Sequence, residues 1–240
     1  MHPTNFEMVI FEAINGYAGI SWILDGLMRM LANNNLVKNG LFIASFWVLW
    51  VKATPDQTRR RADLCFIMFI AVPLSLIINQ AISFIFPFRP RPIYWIDIGF
   101  RQPTIDLSKY QIAFDNSTSF PSDHAAMFFA LTTGFWFISR RLAVLMALWS
   151  IVCSVARIFV GLHFPADIFI GAAVAIAVTA AVHREVLLHY LAKGVNHLQA
   201  RIPALFHTSV GLFVFQIGNL FWELRHLSGA ALKAVQQLFH

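Results

Sequence analysis

Arg157 stands six residues before His163, and Asp167 stands four residues after it. On a helix beginning near Pro165, an i, i+4 spacing brings the Asp167 carboxylate beside the His163 imidazole. Held this way, one ring nitrogen is an N–H donor and the other keeps its lone pair, which prepares a nucleophile. Two further clusters carry similar promise: Phe88-Arg89-Pro90-Arg91-Pro92 and Ser119-Phe120-Pro121-Ser122-Asp123-His124. Arg91 and Arg157, with Arg89 as a further candidate, offer planar, permanently charged forks suited to bidentate phosphate binding. A helix starting near Ser122 presents free amides and a positive dipole end to an anion, and Ser122 Oγ adds a donor. His124 is left to protonate a departing oxygen, because imidazole titrates near neutral pH. A nucleophile, its orienter, a general acid and several anion clamps form a complete set for phosphoryl transfer, where positioning and charge stabilisation dominate.

Each cluster also has a plainer explanation. Arginines can hold lipid headgroups, Pro121-Ser122 can simply open a helix, and a lone interfacial histidine is more often structural than catalytic. Three such clusters on one side of a membrane favour the chemical reading. The scheme calls for no metal and no other cofactor: cations outnumber potential ligands, and a hard divalent ion wants clustered carboxylates. No Gly-rich nucleotide-binding loop is present.

The elements that must position these residues are membrane helices. Hydrophobic residues make up 58% of the 240-residue chain and charged residues only 12%, against roughly 45–50% and 25% in soluble domains. A soluble fold of this size cannot hide 24 Phe and 7 Trp among so few charges,. Disorder is excluded by the same composition. The net charge of +6 fits cytoplasmic loops and anionic headgroups better than nucleic acid, since no basic stripe lies on a soluble module. Cys65 and Cys153 sit in apolar runs and read as small core side chains. The first residues lack the basic region of a cleaved signal peptide.

The sequence thus predicts an all-α integral membrane bundle of about six spans: Ile20–Leu31, Leu36–Val51, Leu64–Phe86, Ala125–Ile138, Leu142–Ala156 and Ile168–Val182,. Lys38 falls near one end of the second, where it can snorkel to the interface. Asp25 and Arg29 interrupt the first at i, i+4 and can partly neutralise each other. Pro73, Asn79 and Gln80 interrupt the third; the amides are expected to face other helices. Lys52, Arg59, Arg60 and Arg61, then Arg140 and Arg141, then Arg184 fall on one side of six crossings, which the positive-inside rule makes cytoplasmic,. Residues Pro87 to Ser122 and the turn at His163 then lie outside. A membrane domain over residues 1–185 is followed by a helical extension over 186–240. Its apolar stretch, Leu205–Trp222, is either a seventh span or an amphipathic interfacial helix, and His207, Gln216 and Asn219 favour the interface.

The three clusters resemble the motifs of the type 2 phosphatidic acid phosphatase superfamily of membrane lipid phosphatases, whose pattern is K-x6-R-P, P-S-G-H and S-R-x5-H-x3-D. Here the second motif is Pro121-Ser122-Asp123-His124, and the third is Ala156-Arg157, His163 and Asp167 at the same spacing. The motif lysine is absent: Phe84 stands at its position if Arg91-Pro92 is the first motif, Ile82 if Arg89-Pro90 is. Asp123 replaces glycine, which repels phosphate unless paired or turned away, and Ala156 replaces serine. These departures, with the stretch from Val9 to Asp25, are similar to the bacitracin-resistance branch of undecaprenyl diphosphate phosphatases. The resemblance implies His163 as nucleophile, Asp167 as its partner and His124 as leaving-group acid. It implies Arg91, Ser122 and Arg157 as phosphate ligands, with Asp123 and Arg89 alongside. The implied substrate is a polyprenyl diphosphate, cut to the monophosphate on the outer face of a bacterial inner membrane, with membrane lipids as the other partners. Another lipid phosphate (phosphatidylglycerol phosphate, lipid A or phosphatidic acid), a phosphotransferase, or a non-enzymatic lipid or anion transporter are the competing readings.

Overall fold

The computed structural model describes residues 2–52, 58–95, 98–104 and 118–220. Much of the Pro87–Ser122 segment, part of the loop after Lys52, and the chain beyond Leu220, with the end of the Leu205–Trp222 stretch, lie outside the described residues. Nine helices are formed among those described: α1 Asn5–Asn15, α2 Trp22–Asn33, α3 Asn35–Lys52, α4 Thr58–Ile85, α5 Asp123–Ile138, α6 Arg140–Phe159, α7 Pro165–Val182, α8 Glu185–Arg201 and α9 Pro203–Gly218. Starts are written locally. Ser122 and Ser139 cap α5 and α6 by accepting the amides of Ala125 and Leu142, and Pro165 opens α7, where its missing N–H costs nothing,.

Helix α5 is the centre, packed most extensively against α7 and α6, with α4 against both α5 and α7. Small residues make the close α5–α7 contact possible. A Cβ at Gly171 would lie 2.5 Å from the Ser122 carbonyl oxygen, so glycine there lets α7 seat against the start of α5. Thr132 and Ser150 hydrogen-bond across α5 and α6 at 3.2 Å. Outward faces carry exposed Ile77, Leu145, Leu148, Phe169 and Ile176. Helices α4, α6 and α7 are long and apolar enough to cross a bilayer,. With large apolar side chains turned outward and three helices long and apolar enough to cross a bilayer, the chain is a membrane protein.

Several expectations are revised by packing. Helix α2 has only 12 residues, short of the ~20 that a straight crossing needs. Asp25 is fully buried and does not turn to Arg29; its carboxylate accepts the amides of Gly19 and Thr104 and the Thr104 hydroxyl. Two loop amides and a hydroxyl satisfy the carboxylate in place of the guanidinium on the same helical face. Pro73 sits just after a π turn, Ile67–Ala71, in which the Val72 amide reaches the Ile67 carbonyl. The wider turn re-registers the backbone at the residue that cannot donate. Asn79 does face a neighbour, donating to Asp123; Gln80 donates to Ser83 of its own helix.

The tail packs along the bundle. Leu188 and Val195 bury one stripe of α8, and its Glu185 pairs with Arg59 of α4. Helix α9 lies lengthwise along α3: Phe206 meets Trp50 near one end, and Gly218 and Asn219 meet Asn39 and Asn35 near the other. Of the polar residues that favoured an interfacial helix, His207 meets Trp50 edge-on and Asn219 accepts from Asn35, both on α3.

Candidate active site

The site forms where α5 and α7 begin and α6 ends. Helix α6 delivers Arg157 on its last turn. The chain then reverses through Gly161, whose φ of +75° is a left-handed conformation that glycine adopts without strain. Its carbonyl accepts the Ile93 amide, fastening the segment that carries Arg91. The turn sets His163 beside α7, and Asp167 reaches back to cap its own helix by accepting the Phe164 amide at 2.8 Å,. On the facing side, Ser119 N–H donates to the Arg89 carbonyl, and Ser122 N–H donates to the Asp167 carbonyl. Three chain segments are thereby tied around one imidazole.

His163 is 3% exposed. Its Nδ1 lies 2.9 Å from the Ser119 carbonyl oxygen; a carbonyl only accepts, which assigns the ring proton to Nδ1. The opposite nitrogen, Nε2, keeps its lone pair and faces two guanidiniums, with Arg91 Nη1 and Arg157 Nη2 each 3.4 Å away. Those arginines are anchored from behind by the Leu162 and Ala32 carbonyls. Burial pushes the His163 imidazole down to about 4, against the opposing pull of Asp167,. The ring is therefore neutral near pH 7, as attack through Nε2 requires.

Asp167 stands farther off than the spacing suggests. Its Oδ2 is 3.7 Å from His163 Nδ1, and its Oδ1 accepts Arg89 Nη1 at 2.6 Å. Arg89 also donates to Glu7 of α1 at 2.8 Å and lies over the Phe164 ring. All three charged side chains are buried. Arg89 is thus engaged behind the His163–Asp167 pair, whereas Arg91 faces Nε2. His124, in the first turn of α5, lies on the other side, its Nε2 2.9 Å from Lys38 Nζ. Asp123 is drawn toward α4 by Asn79 Nδ2 at 2.7 Å, so its charge has a partner. Among the described residues, no group of three His, Cys, Asp or Glu side chains gathers as a metal site would.

Sequence reading missed Lys38, Glu7, Asn79 and the Ser119 carbonyl. Lys38 carried a signal, a lone charge inside an apolar run. It is only 5% exposed and points into the site, where a snorkelling lysine would have reached the interface. A backbone carbonyl carries none, because every residue has one.

Comparison with known families settles the lineage. The PAP2 superfamily model matches residues 61–189, a segment holding Arg89, Arg91, Ser122, His124, Arg157, His163 and Asp167. The chain belongs to the PAP2 superfamily. It is also 28% identical over 174 residues to the undecaprenyl-diphosphatase BcrC of Bacillus subtilis (strain 168), covering 72% of this chain and 80% of that protein. No solved structure gives a significant match. Of the charged side chains around the site, Lys38 and Glu7 lie outside the PAP2 segment.

Proposed function

We propose that this PAP2 phosphatase hydrolyses a polyprenyl diphosphate to the monophosphate through a phosphohistidine. The observation that carries it is the pair of guanidiniums meeting at the unprotonated Nε2 of His163, whose other nitrogen is held by a carbonyl. In this reading Nε2 attacks the terminal phosphorus, and the bond to the bridging oxygen breaks. Arg91 and Arg157 follow the charge on the phosphoryl oxygens, with the free amides and Ser122 hydroxyl at the start of α5. His124 delivers a proton to the leaving oxygen, then accepts one from the water that cleaves the phosphorus–nitrogen bond and releases inorganic phosphate. Asp167 and Ser119 hold the ring.

The similarity to BcrC, together with P-S-D-H in place of P-S-G-H, supports the diphosphate as substrate. Phosphatidylglycerol phosphate, lipid A and phosphatidic acid share the same reacting group and are the comparison substrates. We read residues 1–185 as the catalytic membrane domain, crossed by α3 to α7, with the short α2 lying at the site end, where Asp25 accepts from Thr104 and Ala32 accepts from Arg157. The site end is opposite Arg59, Arg140, Arg141 and Arg184, so the positive-inside rule turns it to the outer face of a bacterial inner membrane. Helix α9, lying along α3, is read as a further crossing that puts the C-terminus outside.

The test is phosphate release in EDTA from a C55 diphosphate and the three other lipids, with trapping of an alkali-stable, acid-labile phosphoenzyme from substrate radiolabelled in its terminal phosphate. The expected result is fastest turnover of the diphosphate and label on His163. Activity that returns only with added divalent metal, or no labelled enzyme on rapid quenching, overturns the mechanism. A C-terminal reporter active only in the cytoplasm overturns the topology of α9.

A further inference from the structure

The site holds its cations in two groups. Arg91 and Arg157 converge on the nucleophilic nitrogen of His163. Lys38 stands apart, on α3, with Nζ 2.9 Å from Nε2 of His124. It is buried, and among the described residues no carboxylate comes within ion-pair distance of it. Its backbone is fixed by the Trp149 indole, which donates to the Lys38 carbonyl at 3.0 Å. A buried ammonium with an imidazole as partner is expensive unless an anion is brought to it.

We infer that Lys38 binds the second phosphate of the substrate, the one nearer the lipid, and so makes the enzyme selective for a diphosphate over a monophosphate. The inference rests on the phosphatase reading above and assigns the chemistry of the leaving group. When Nε2 of His163 takes the terminal phosphoryl group, the electron pair of the broken phosphorus–oxygen bond goes to the bridging oxygen, which stays with the lipid. From a diphosphate, that oxygen belongs to a phosphate monoester, whose second pKa is about 6. It leaves well as an anion if a cation stands beside it. From a monophosphate it belongs to an alkoxide, which needs the proton of His124 far more than a charge. A lysine touching His124 is placed to meet the negative charge appearing on that side. Lys38 is not in the position of the missing motif lysine, which falls on α4 at Ile82 or Phe84; it enters from a different helix and meets a different histidine.

Farnesyl diphosphate and farnesyl monophosphate share one tail and differ by one phosphate, so they are the probes. Phosphate release from each is measured on the same detergent-purified preparations of the unmodified protein, Lys38→Met, Lys38→Gln and Lys38→Arg. The ratio of kcat/KM, diphosphate over monophosphate, is expected to fall about 10- to 100-fold in the neutral variants, the range of a charge-assisted hydrogen bond. It is expected to stay within about threefold in Lys38→Arg, which keeps the charge. Partial unfolding lowers both rates together and leaves the ratio unmoved. Equal losses on both substrates in correctly folded neutral variants overturn the inference and make Lys38 a general support of the site. An unmodified protein that cleaves neither lipid overturns the phosphatase reading itself, and this assignment with it.

Discussion

Two histidine–aspartate pairs mark opposite ends of the bundle. At one end His163 faces Asp167 at 3.7 Å; at the other His183 Nε2 meets Asp63 at 3.3 Å. By proximity alone, His183 is the better pair. Its surroundings decide otherwise. The His183 ring is stacked on Phe137 at 3.7 Å and met edge-on by Phe66, and Asp63 shares Arg59, which also pairs with the exposed Glu185. That end is a surface ion network clasping α4, α7 and α8. Around His163, the carboxylate is engaged by Arg89, a carbonyl fixes the ring, and two buried guanidiniums face the remaining lone pair. On the proposed mechanism, a nucleophile is made less by a nearby acid than by where its free nitrogen points and what waits there to receive an anion.

The largest effect that tests this contrast comes from removing each ring. His163→Ala is expected to lower phosphate release by at least about 10³-fold, because the covalent route is lost, whereas His183→Ala keeps turnover within a few-fold. Comparable losses in both would erase the distinction. The next step compares guanidiniums. Arg157→Lys is expected to cost about 10- to 100-fold in kcat/KM, since a lysine cannot reproduce a fork held by the Ala32 carbonyl,; Arg59→Lys at the other end leaves kcat/KM unchanged.

Stability sharpens the comparison further. Arg89→Met leaves the buried Asp167 and Glu7 carboxylates without their shared cation, so unfolding in detergent is expected to become easier by about 3–5 kcal/mol. Breaking the exposed Arg59–Glu185 pair with Arg59→Met is expected to leave unfolding in detergent almost unmoved by comparison,. The smallest effect is on titration. With its imidazole pushed down to about 4, His163 stays neutral as pH falls through the ordinary histidine range near 6.5. Over that window the unfolded chain takes up a proton that the folded one refuses, so His163 subtracts stability progressively on acidification until pH reaches about 4. Nitrogen-15 NMR of histidine-labelled protein, assigned with His163→Gln, reads this directly; a midpoint near 6.5 would place the ring in water.

Much of this was legible beforehand because it is local. Ser122 and Pro165 mark the starts of α5 and α7 through capping chemistry, and the Arg157, His163 and Asp167 spacing lies within one helix–turn–helix. Lys38, Glu7 and Asn79 were missed because their partners are 86, 82 and 44 residues away, and no periodicity links them. Arg89 and Arg91 are two residues apart, and the sequence put Arg91 ahead as a phosphate ligand without saying what Arg89 holds. Only the fold sends one behind Asp167 and the other toward Nε2.

The amino-acid sequence by itself determined the apolar character that suits this chain to lipid, the starts of α5 and α7, and the spacing that carries an arginine, a histidine and an aspartate across one helix–turn–helix. Composition, caps and short spacings act through neighbouring residues, so they hold before any tertiary contact forms. The tertiary structure alone decided which cation serves which histidine, that a carbonyl from before α5 holds the ring, and that α9 runs along α3. Those outcomes depend on helices meeting closely enough, at Gly171 among other places, for buried charges to find partners in a medium that supplies no water.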